Sequence, residues 1–378
     1  MFGLHCGVWI TDISWIIIGI EGTKCNYCNR DFVISNSLKG PQALLNVCIA
    51  WCKWSDILIR IDKCTTFGMT KKGGQYIQFQ PGLFIDDVAV PSILPGESFV
   101  YFGKRFDFAM DDGLDKVDIS TRLQDLITQT SNLPVRPQSK LKILKMYITS
   151  QLSFDLKTYN LSTTWITKNL DSKICNAVRS WLELPISTCM AELLALSQKK
   201  GGHDIRSLKT TAQILRLGQR IRLKNSGSTR MEILWQVTSA QFPTIDEHIT
   251  DSNSSIVVPV RKLKEKIELE AWSHVQSLSV QGALLKSLSA SLGASIIKKW
   301  TCHVSTMTSL MFKFVRKAIQ QQLPTAANLK RWGKQADPSC PLCNNIQLNK
   351  HVLSNCSSVG SRFGALSISS RSGTGDTS

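Results

Sequence analysis

Four side chains near the carboxyl end of the sequence have the residue types and the spacing of a zinc site. Two cysteines flank a Pro-Leu pair, a histidine follows after seven residues, and a third cysteine follows after four more. Three thiolates and an imidazole suit tetrahedral Zn²⁺, and a full set of four protein ligands leaves no position for a substrate. We therefore predict a structural zinc knuckle; the alternative is a chance group of reduced side chains. The predicted ligands are Cys340, Cys343, His351 and Cys356.

A second group of residues has the charge to contact phosphate. Of the chain's net charge of +17, the stretch from Ser131 to Arg230 carries +12, from 17 Lys+Arg and 5 Asp+Glu. Such a basic block favours a polyanionic partner, most often nucleic acid. Within a predicted helix over 211–224, Arg216, Arg220 and Lys224 repeat at i, i+4 steps, so they form a basic stripe that could lie along a phosphate backbone. A solvated basic surface is the alternative.

The elements that must position these residues give an α+β pattern at the front of the chain and a helical pattern behind it. Alternating apolar residues and turn signals predict short strands, whereas apolar residues at i, i+3 and i+4 predict helices. One face of the first helix is predicted to hold Leu44, Leu45, Val47, Cys48, Trp51 and Trp54. Strands are predicted over 57–61, 65–69, 76–79, 83–90 and 97–103, and helices over 123–127, 141–148, 165–181 and 211–224.

Composition excludes several classes of protein. With 43% hydrophobic residues, the chain has a globular balance rather than that of a disordered protein. The longest apolar stretch, Ile13 to Ile20, is far shorter than the roughly 20 residues that a transmembrane helix needs, and no basic segment opens a signal peptide. We expect no membrane partner, and we expect the twelve cysteines to be thiols or metal ligands in a reducing compartment. No Gly-rich phosphate loop, nucleophile elbow or His-Glu-x-x-His motif predicts a small-molecule substrate.

The run Leu323-Pro324-Thr325-Ala326-Ala327-Asn328-Leu329-Lys330-Arg331-Trp332-Gly333, which leads into the knuckle, resembles the reverse transcriptase polyproteins of non-LTR (LINE-like) retrotransposons, particularly the site-specific, single-frame kind. Leu45 to Met69 looks like the end of the polymerase palm, and Gly96 to Gly103 is similar to the hairpin that grips the primer. Leu184-Pro185 with Gly201 to Ile205 resembles the thumb, except that His203 stands where an apolar residue is usual. The resemblance covers roughly residues 42 to 356, in matching order.

This resemblance implies a division of the chain into palm, thumb, linker and knuckle. We predict that residues 1–41 are an unassigned start, 42–114 the end of the palm with its primer-grip hairpins, 115–248 a helical thumb, 249–322 a helical linker, 323–356 the zinc knuckle region and 357–378 a disordered tail.

The catalytic carboxylates that the family requires do not match. Polymerisation uses metal ions held by convergent carboxylates, and the family's order places an aspartate pair within residues 1 to 43, where the only aspartates are Asp12 and Asp31, well apart. Phe84-Ile85-Asp86-Asp87 has the local pattern but follows the first helix, so we interpret Asp86 and Asp87 as turn or surface residues. We predict no catalytic residue, expect Mg²⁺ only in the intact parent polymerase, and interpret the chain as a truncated reading frame.

The resemblance and the charge together predict a fragment of an RNA-directed DNA polymerase that binds RNA and DNA and is inactive alone. A non-catalytic zinc-containing nucleic-acid-binding module is the alternative from another class, and a relic that does not fold is a third. The expected compartment is the nucleus, with a cytoplasmic ribonucleoprotein stage. The predicted nucleic-acid contacts are Arg216, Arg220, Arg222, Lys224, Lys330 and Arg331.

Overall fold

A computed structural model of the chain describes residues 15–21, 30–35, 39–72, 75–101, 104–107, 113–239, 257–287, 303–349, 351–352 and 356–360. These residues are mostly helical, with few strands. Among them, no helix combines the length and the apolar character that crossing a bilayer would take. Residues 249–256 of the predicted helical linker and most of the predicted tail, residues 361–378, lie outside the described residues.

The strands form one four-stranded antiparallel sheet and two short hairpins. The sheet has the order β2-β1-β3-β4, while β5 pairs with β6 and β7 with β8. The strands are β1 Trp15–Glu21, β2 Arg30–Ser35, β3 Thr65–Lys72, β4 Gln75–Phe79, β5 Phe84–Ile85, β6 Val88–Ala89, β7 Ser98–Tyr101 and β8 Lys104–Asp107.

From residue 113 onward, the elements of the described residues are all helices. Two of the helical segments contain a π-turn, at Leu144–Ile148 and at Thr167–Asp171, and short 3₁₀ turns lie at Ile61–Lys63 and Gln198–Lys200. The helices are α1 Lys39–Trp54, α2 Gly113–Asn132, α3 Pro137–Ile143, α4 Thr149–Gln151, α5 Ser153–Thr158, α6 Thr163–Ile166, α7 Ser172–Leu182, α8 Met190–Ala195, α9 Leu208–Lys224, α10 Thr229–Ser239, α11 Val257–Ser277, α12 Ala283–Ser287, α13 Ser309–Ile319, α14 Ala326–Arg331 and α15 Ser357–Gly360.

The chain divides into two compact units, each assembled from separate stretches. Unit 1 contains residues 1–123, 151–166 and 212–259, and unit 2 contains residues 124–150, 167–211 and 260–378. The knuckle region therefore belongs to unit 2. The domain boundaries that the resemblance implies stay predictions.

In unit 1, helix α1 packs on the β5–β6 hairpin. Leu45 is fully buried and joins Ile85 and Val90 in one apolar cluster. The amide of Gln42 fixes the contact, because its Nε2 donates to the carbonyl of Phe84 at 2.9 Å and its Oε1 accepts from the amide of the same residue at 3.0 Å. This pair of hydrogen bonds sets which side of α1 meets the hairpin.

The predicted face of α1 is largely wrong, although the helix itself is confirmed. Trp51 and Trp54 are exposed, as are Leu44 and Val47, whereas the buried face includes Ile49 with Leu45 and Cys52. Apolar residues occur on two sides of this helix, so periodicity alone cannot choose between them. The Gln42 contact is a tertiary feature that the pattern does not contain.

Two predicted strands are also corrected. Residues 57–61 form no ladder, and the chain enters a 3₁₀ turn at Ile61 instead. The stretch 83–90 is a tight hairpin rather than one strand, because Asp86 and Asp87 have φ angles of 47° and 63° and reverse the chain. Short polar aspartates tolerate this left-handed region, which two-residue hairpin turns require. Strands over 65–69 and 76–79 are confirmed, and the stretch 97–103 contains β7 of the β7–β8 hairpin.

The helical prediction holds over the middle of the chain. The stretch from Pro134 to Pro137 separates α2 from α3, and Pro137 lies in the first turn of α3. The predicted helix over 165–181 corresponds to α6, a π-turn and α7, and it ends where Glu183 adopts a φ of 53° before Pro185. The predicted helix over 211–224 is α9.

The core of unit 2 joins α11, α12 and α13 to the end of α8. Leu196, Val275, Leu285, Val315 and Ile319 form one buried cluster. The contribution of α13 matters for the metal centre, because this helix leads directly into the knuckle region. Its N-terminus is capped by Thr308, whose hydroxyl accepts from the amide of Met311 at 3.3 Å.

A buried carboxylate in unit 2 caps helix α9 from a distance. Asp171 accepts hydrogen bonds from the amides of Leu208 at 2.7 Å and Lys209 at 3.2 Å, which are first-turn donors without helical partners. Burial nevertheless raises the pKa of Asp171 to about 6, against an ordinary value of 3.8, because desolvation outweighs the two hydrogen bonds.

This shift predicts that Asp171 makes the chain less stable as pH rises from about 4 to 6. The native state holds the proton in this window while the unfolded state has lost it, so the free energy of unfolding falls by on the order of 3 kcal/mol. The Asp171→Asn variant should lack this contribution. Urea unfolding of both proteins at pH 4.5 and 7.5 measures it; equal pH dependence in the two proteins would contradict the raised pKa.

Candidate metal centre

The four predicted zinc ligands converge in unit 2. Their ligand atoms all lie within 4.8 Å of one another. The Sγ of Cys343 is 3.3 Å from the Nε2 of His351 and 3.9 Å from the Sγ of Cys356. A tetrahedral zinc ion with Zn–S of about 2.3 Å and Zn–N of about 2.0–2.1 Å places its ligand atoms roughly 3.5–3.8 Å apart, so these residues fit the ion.

A small hairpin presents the first two cysteines. The amide of Cys340 donates to the carbonyl of Asn345 at 2.7 Å, and the amide of Gln347 donates to the carbonyl of Pro338 at 2.9 Å. Between them, the amide of Asn344 bonds to the carbonyl of Cys340 at 2.9 Å while Asn344 itself adopts a φ of 55°. This turn brings both thiols to the same side, which is what the Cys-x-x-Cys spacing predicted.

Local hydrogen bonds prepare Cys340 to act as a thiolate ligand. Bonding to the backbone amide of Leu342 lowers the pKa of Cys340 to about 6, from an ordinary 9.0, and His351 and the amide of Cys343 add to this effect. Cys340 and His351 are both buried. Because zinc binds thiolates, the lowered pKa reduces the proton competition that the metal meets at neutral pH.

The run from Leu323 to Gly333 precedes the knuckle and is hydrogen-bonded to it. Thr325 caps α14 by accepting from the amide of Asn328 at 3.3 Å, and the buried Asn328 Nδ2 donates to the carbonyls of Gln321 at 2.9 Å and Leu323 at 2.7 Å. We call this run the strap. Hydrogen bonds of Thr325 and Asn328 hold it in its folded conformation, so these polar residues have a structural role.

Gln347 connects this strap to the hairpin, and no sequence pattern predicted this role. Its Oε1 accepts from the amide of Ala326 at 2.8 Å, and its Nε2 lies 3.7 Å from the Sγ of Cys340. A residue in this position orients a metal ligand and ties it to the surrounding fold. A glutamine outside the ligand spacing has nothing in the sequence to distinguish it.

The predicted basic stripe on α9 is turned partly inward, within unit 1. Arg216 donates from Nη2 to the carbonyl of Leu161 at 2.6 Å. Arg220 is buried and donates to the hydroxyl of Thr238 at 2.5 Å and to the carbonyl of Trp235 at 3.2 Å, with its guanidinium 5.1 Å from the Trp235 ring. These two arginines join α9 to neighbouring segments of unit 1.

The other predicted nucleic-acid contacts have different surroundings. The Nζ of Lys224 lies 5.6 Å from the ring of Trp235 and the side chain is half-buried, whereas Arg222 is exposed. Lys330 and Arg331 are exposed in the last turn of α14, just before the knuckle. A role in nucleic-acid binding stays a prediction for all six residues.

The interpretation of Asp86 and Asp87 as turn or surface residues is confirmed. Both are exposed in the turn of the β5–β6 hairpin, and Asp86 forms an ion pair with the Nζ of Lys53 at 2.6 Å. Within the described residues, the one group of three or more metal-ligating side chains close enough to share an ion is the knuckle cluster.

Comparison with known protein families matches residues 290–361 to the family described as zinc-binding in reverse transcriptase. The matched residues include all four ligands, so the match and the geometry together identify structural zinc as the cofactor, as predicted. The match also supports a reverse-transcriptase-related protein. No curated protein matches the chain.

Proposed function

We propose that the chain binds nucleic acid through the zinc module and the basic surface beside it. The observation that carries the proposal is charge: residues 303–360 contain seven Lys+Arg and a single acidic residue, Asp337. Asp337 is engaged locally, since its carboxylate accepts from the amide of Ser339 at 2.9 Å. A net charge of +6 on a segment that contains the zinc knuckle favours a polyanion.

Three exposed cations are the proposed phosphate contacts. Lys330 and Arg331 are exposed in the strap, and Lys334 is exposed directly after it. Lys313 and Lys317, by contrast, bond to the carboxylate of Glu183 at 2.6 and 3.4 Å. Contacts from mobile surface cations to phosphates are tolerant of sequence and sensitive to salt. The proposed partners are therefore RNA and DNA, recognised through their backbones.

Fluorescence anisotropy with a labelled single-stranded oligonucleotide tests this proposal. Each lost phosphate contact reduces the slope of log K against log salt by about 0.7–0.9, so replacement of Lys330, Arg331 and Lys334 by Gln should reduce it by roughly 2 to 3 and weaken binding at low salt. A matched control replaces three ion-paired cations, Lys53, Arg60 and Arg261, by Gln and leaves the slope unchanged. Binding that ignores salt, or an equal effect of both triple variants, would contradict the proposal.

We propose further that the chain derives from the reverse transcriptase polyprotein of a non-LTR retrotransposon. The family match at 290–361 supports this ancestry, and so does the order of the stretches that resemble palm, primer grip, thumb and knuckle. A nuclear location with a cytoplasmic ribonucleoprotein stage belongs to the same proposal.

A further inference from the structure

A buried arginine in unit 2 has no acidic partner among the described residues. Arg316 on α13 is only 3% exposed, and its Nη1 donates to the carbonyls of Gly201 at 2.9 Å and Gly202 at 3.2 Å. Its guanidinium lies 5.2 Å from the ring of Phe312, and its Nε is buried without a hydrogen-bond partner among the described residues. Carbonyls and a ring solvate this cation but do not neutralise it.

Buried polar atoms without hydrogen-bond partners also occur in the residue that follows Gly202 and in two glutamines that follow Arg316 in the chain. His203 follows Gly202 directly, is 5% exposed, and has a buried Nε2 that bonds to none of the described residues. Gln320 lies one helical turn after Arg316 and is 1% exposed, and neither its Oε1 nor its Nε2 has a hydrogen-bond partner in the part of the chain that the structure describes. The Oε1 of Gln322 is also buried without a partner there. Native proteins satisfy nearly all buried polar atoms, so several exceptions on two segments that the Arg316 hydrogen bonds join indicate a bound species.

The charges of Arg316 and His203 indicate which kind of species is bound beside them. Burial lowers the pKa of Arg316 only to about 10, so the guanidinium stays charged at neutral pH. Burial and the Arg316 charge hold the pKa of His203 well below its ordinary 6.5, so the imidazole is neutral. Water alone would satisfy N–H groups but leave the positive charge uncompensated, whereas a small anion does both.

We propose that Arg316, His203 and Gln320 form a buried site for a small monovalent anion, such as chloride. The donors are the Nε–H of Arg316, the amide NH₂ of Gln320 and the ring N–H of His203 in its Nε2 tautomer. The remaining acceptor oxygens of Gln320 and Gln322 suit a water molecule that accompanies the anion. This site is separate from the four zinc ligands and does not depend on nucleic-acid binding.

Thermal unfolding of the zinc-loaded full chain tests the proposal. Chloride is titrated against gluconate, which is too large for a buried site, at constant ionic strength. An anion that binds only the native state raises the melting temperature by about 2–4 °C for each tenfold increase above its dissociation constant. The Arg316→Met and Gln320→Leu variants should lose this shift, whereas Lys313→Met, which removes a half-buried cation of the same helix that pairs with Glu183, should keep it.

A direct measurement locates the anion. Crystals grown with bromide should show an anomalous peak beside Arg316, and the peak should be absent from the Gln320→Leu variant. Because Arg316→Met removes the bonds to Gly201 and Gly202 and can prevent folding, Gln320→Leu and His203→Phe serve as the milder variants. A melting temperature indifferent to chloride, equal shifts in all variants, or density for water alone would overturn the proposal.

Discussion

Removal of zinc is expected to unfold the knuckle, with the largest effect of any single change to this chain. Apparent binding free energies of structural zinc reach about 10–16 kcal/mol in small zinc-binding peptides at neutral pH, and the segment around Cys340 has little apolar core to replace that contribution. Hydrogen exchange measures the result residue by residue. Chelation should abolish protection of the Cys340, Asn344 and Gln347 amides, which close the hairpin, and should leave the amides of α9 protected.

Substitution of a ligand should have the same result as chelation. Loss of an outer-shell partner already costs zinc sites about 10–100-fold in affinity, so Cys343→Ser and His351→Ala should each cost more than about 100-fold. Cys48→Ser is the matched control, because Cys48 is a half-buried thiol in unit 1 that is not one of the four ligands. Metal analysis should find about one zinc per chain in the wild type and the control. Full zinc content in either ligand variant would contradict the assignment.

The Gly202→Ala substitution is expected to disrupt the loop before α9 more severely than any surface change. A Cβ at Gly202 would lie 2.1 Å from the carbonyl oxygen of Leu196, which is backbone and cannot rotate away. The loop cannot shift either, since Gly202 donates to the carbonyl of Ser197 at 3.0 Å and accepts from Arg316. We expect a loss of more than about 4 kcal/mol in the free energy of unfolding, the range of severe core mutations.

A second glycine provides the control for this prediction. Gly218 lies inside α9 with open space where a Cβ would stand, so Gly218→Ala should be neutral or stabilise the helix by up to about 1 kcal/mol. Urea unfolding followed by exchange of the Asp204 and Ile205 amides, both bonded to α8 and its end, reports on the loop itself. If the Gly202→Ala protein is as stable as Gly218→Ala, the backbone around Leu196 shifts to make room for the Cβ, and the prediction is wrong.

Sequence patterns predicted this protein best where the determining interactions are local. The zinc ligands follow from a spacing of seventeen residues, and α9 follows from its own periodicity. The face of α1 depends on Gln42 meeting Phe84, forty-two residues away, so its orientation could not be read from the helix. Likewise, the i, i+4 spacing of Arg216 and Arg220 is the same whether the guanidinium groups face water or the carbonyls of other segments.

The polar residues that support the metal centre were beyond sequence reasoning for a related reason. Gln347 and Asn328 act through backbone groups, and every residue offers a backbone amide or carbonyl, so nothing marks the partner in the sequence. His203 and Arg316 illustrate the same limit, because their proximity arises from the packing of α13 on a loop more than a hundred residues earlier.

Helix α13 lies inside the segment that matches the zinc-binding family, yet Val315 and Ile319 are part of the core of unit 2. An excised peptide covering 290–361 would therefore expose the apolar face of α13 to water and be prone to aggregation, even with zinc bound. The segment that matches the family and the unit that packs around one core therefore have different boundaries. Recombination that moves this segment into a new protein would succeed only where the recipient offers a surface for that helix to cover.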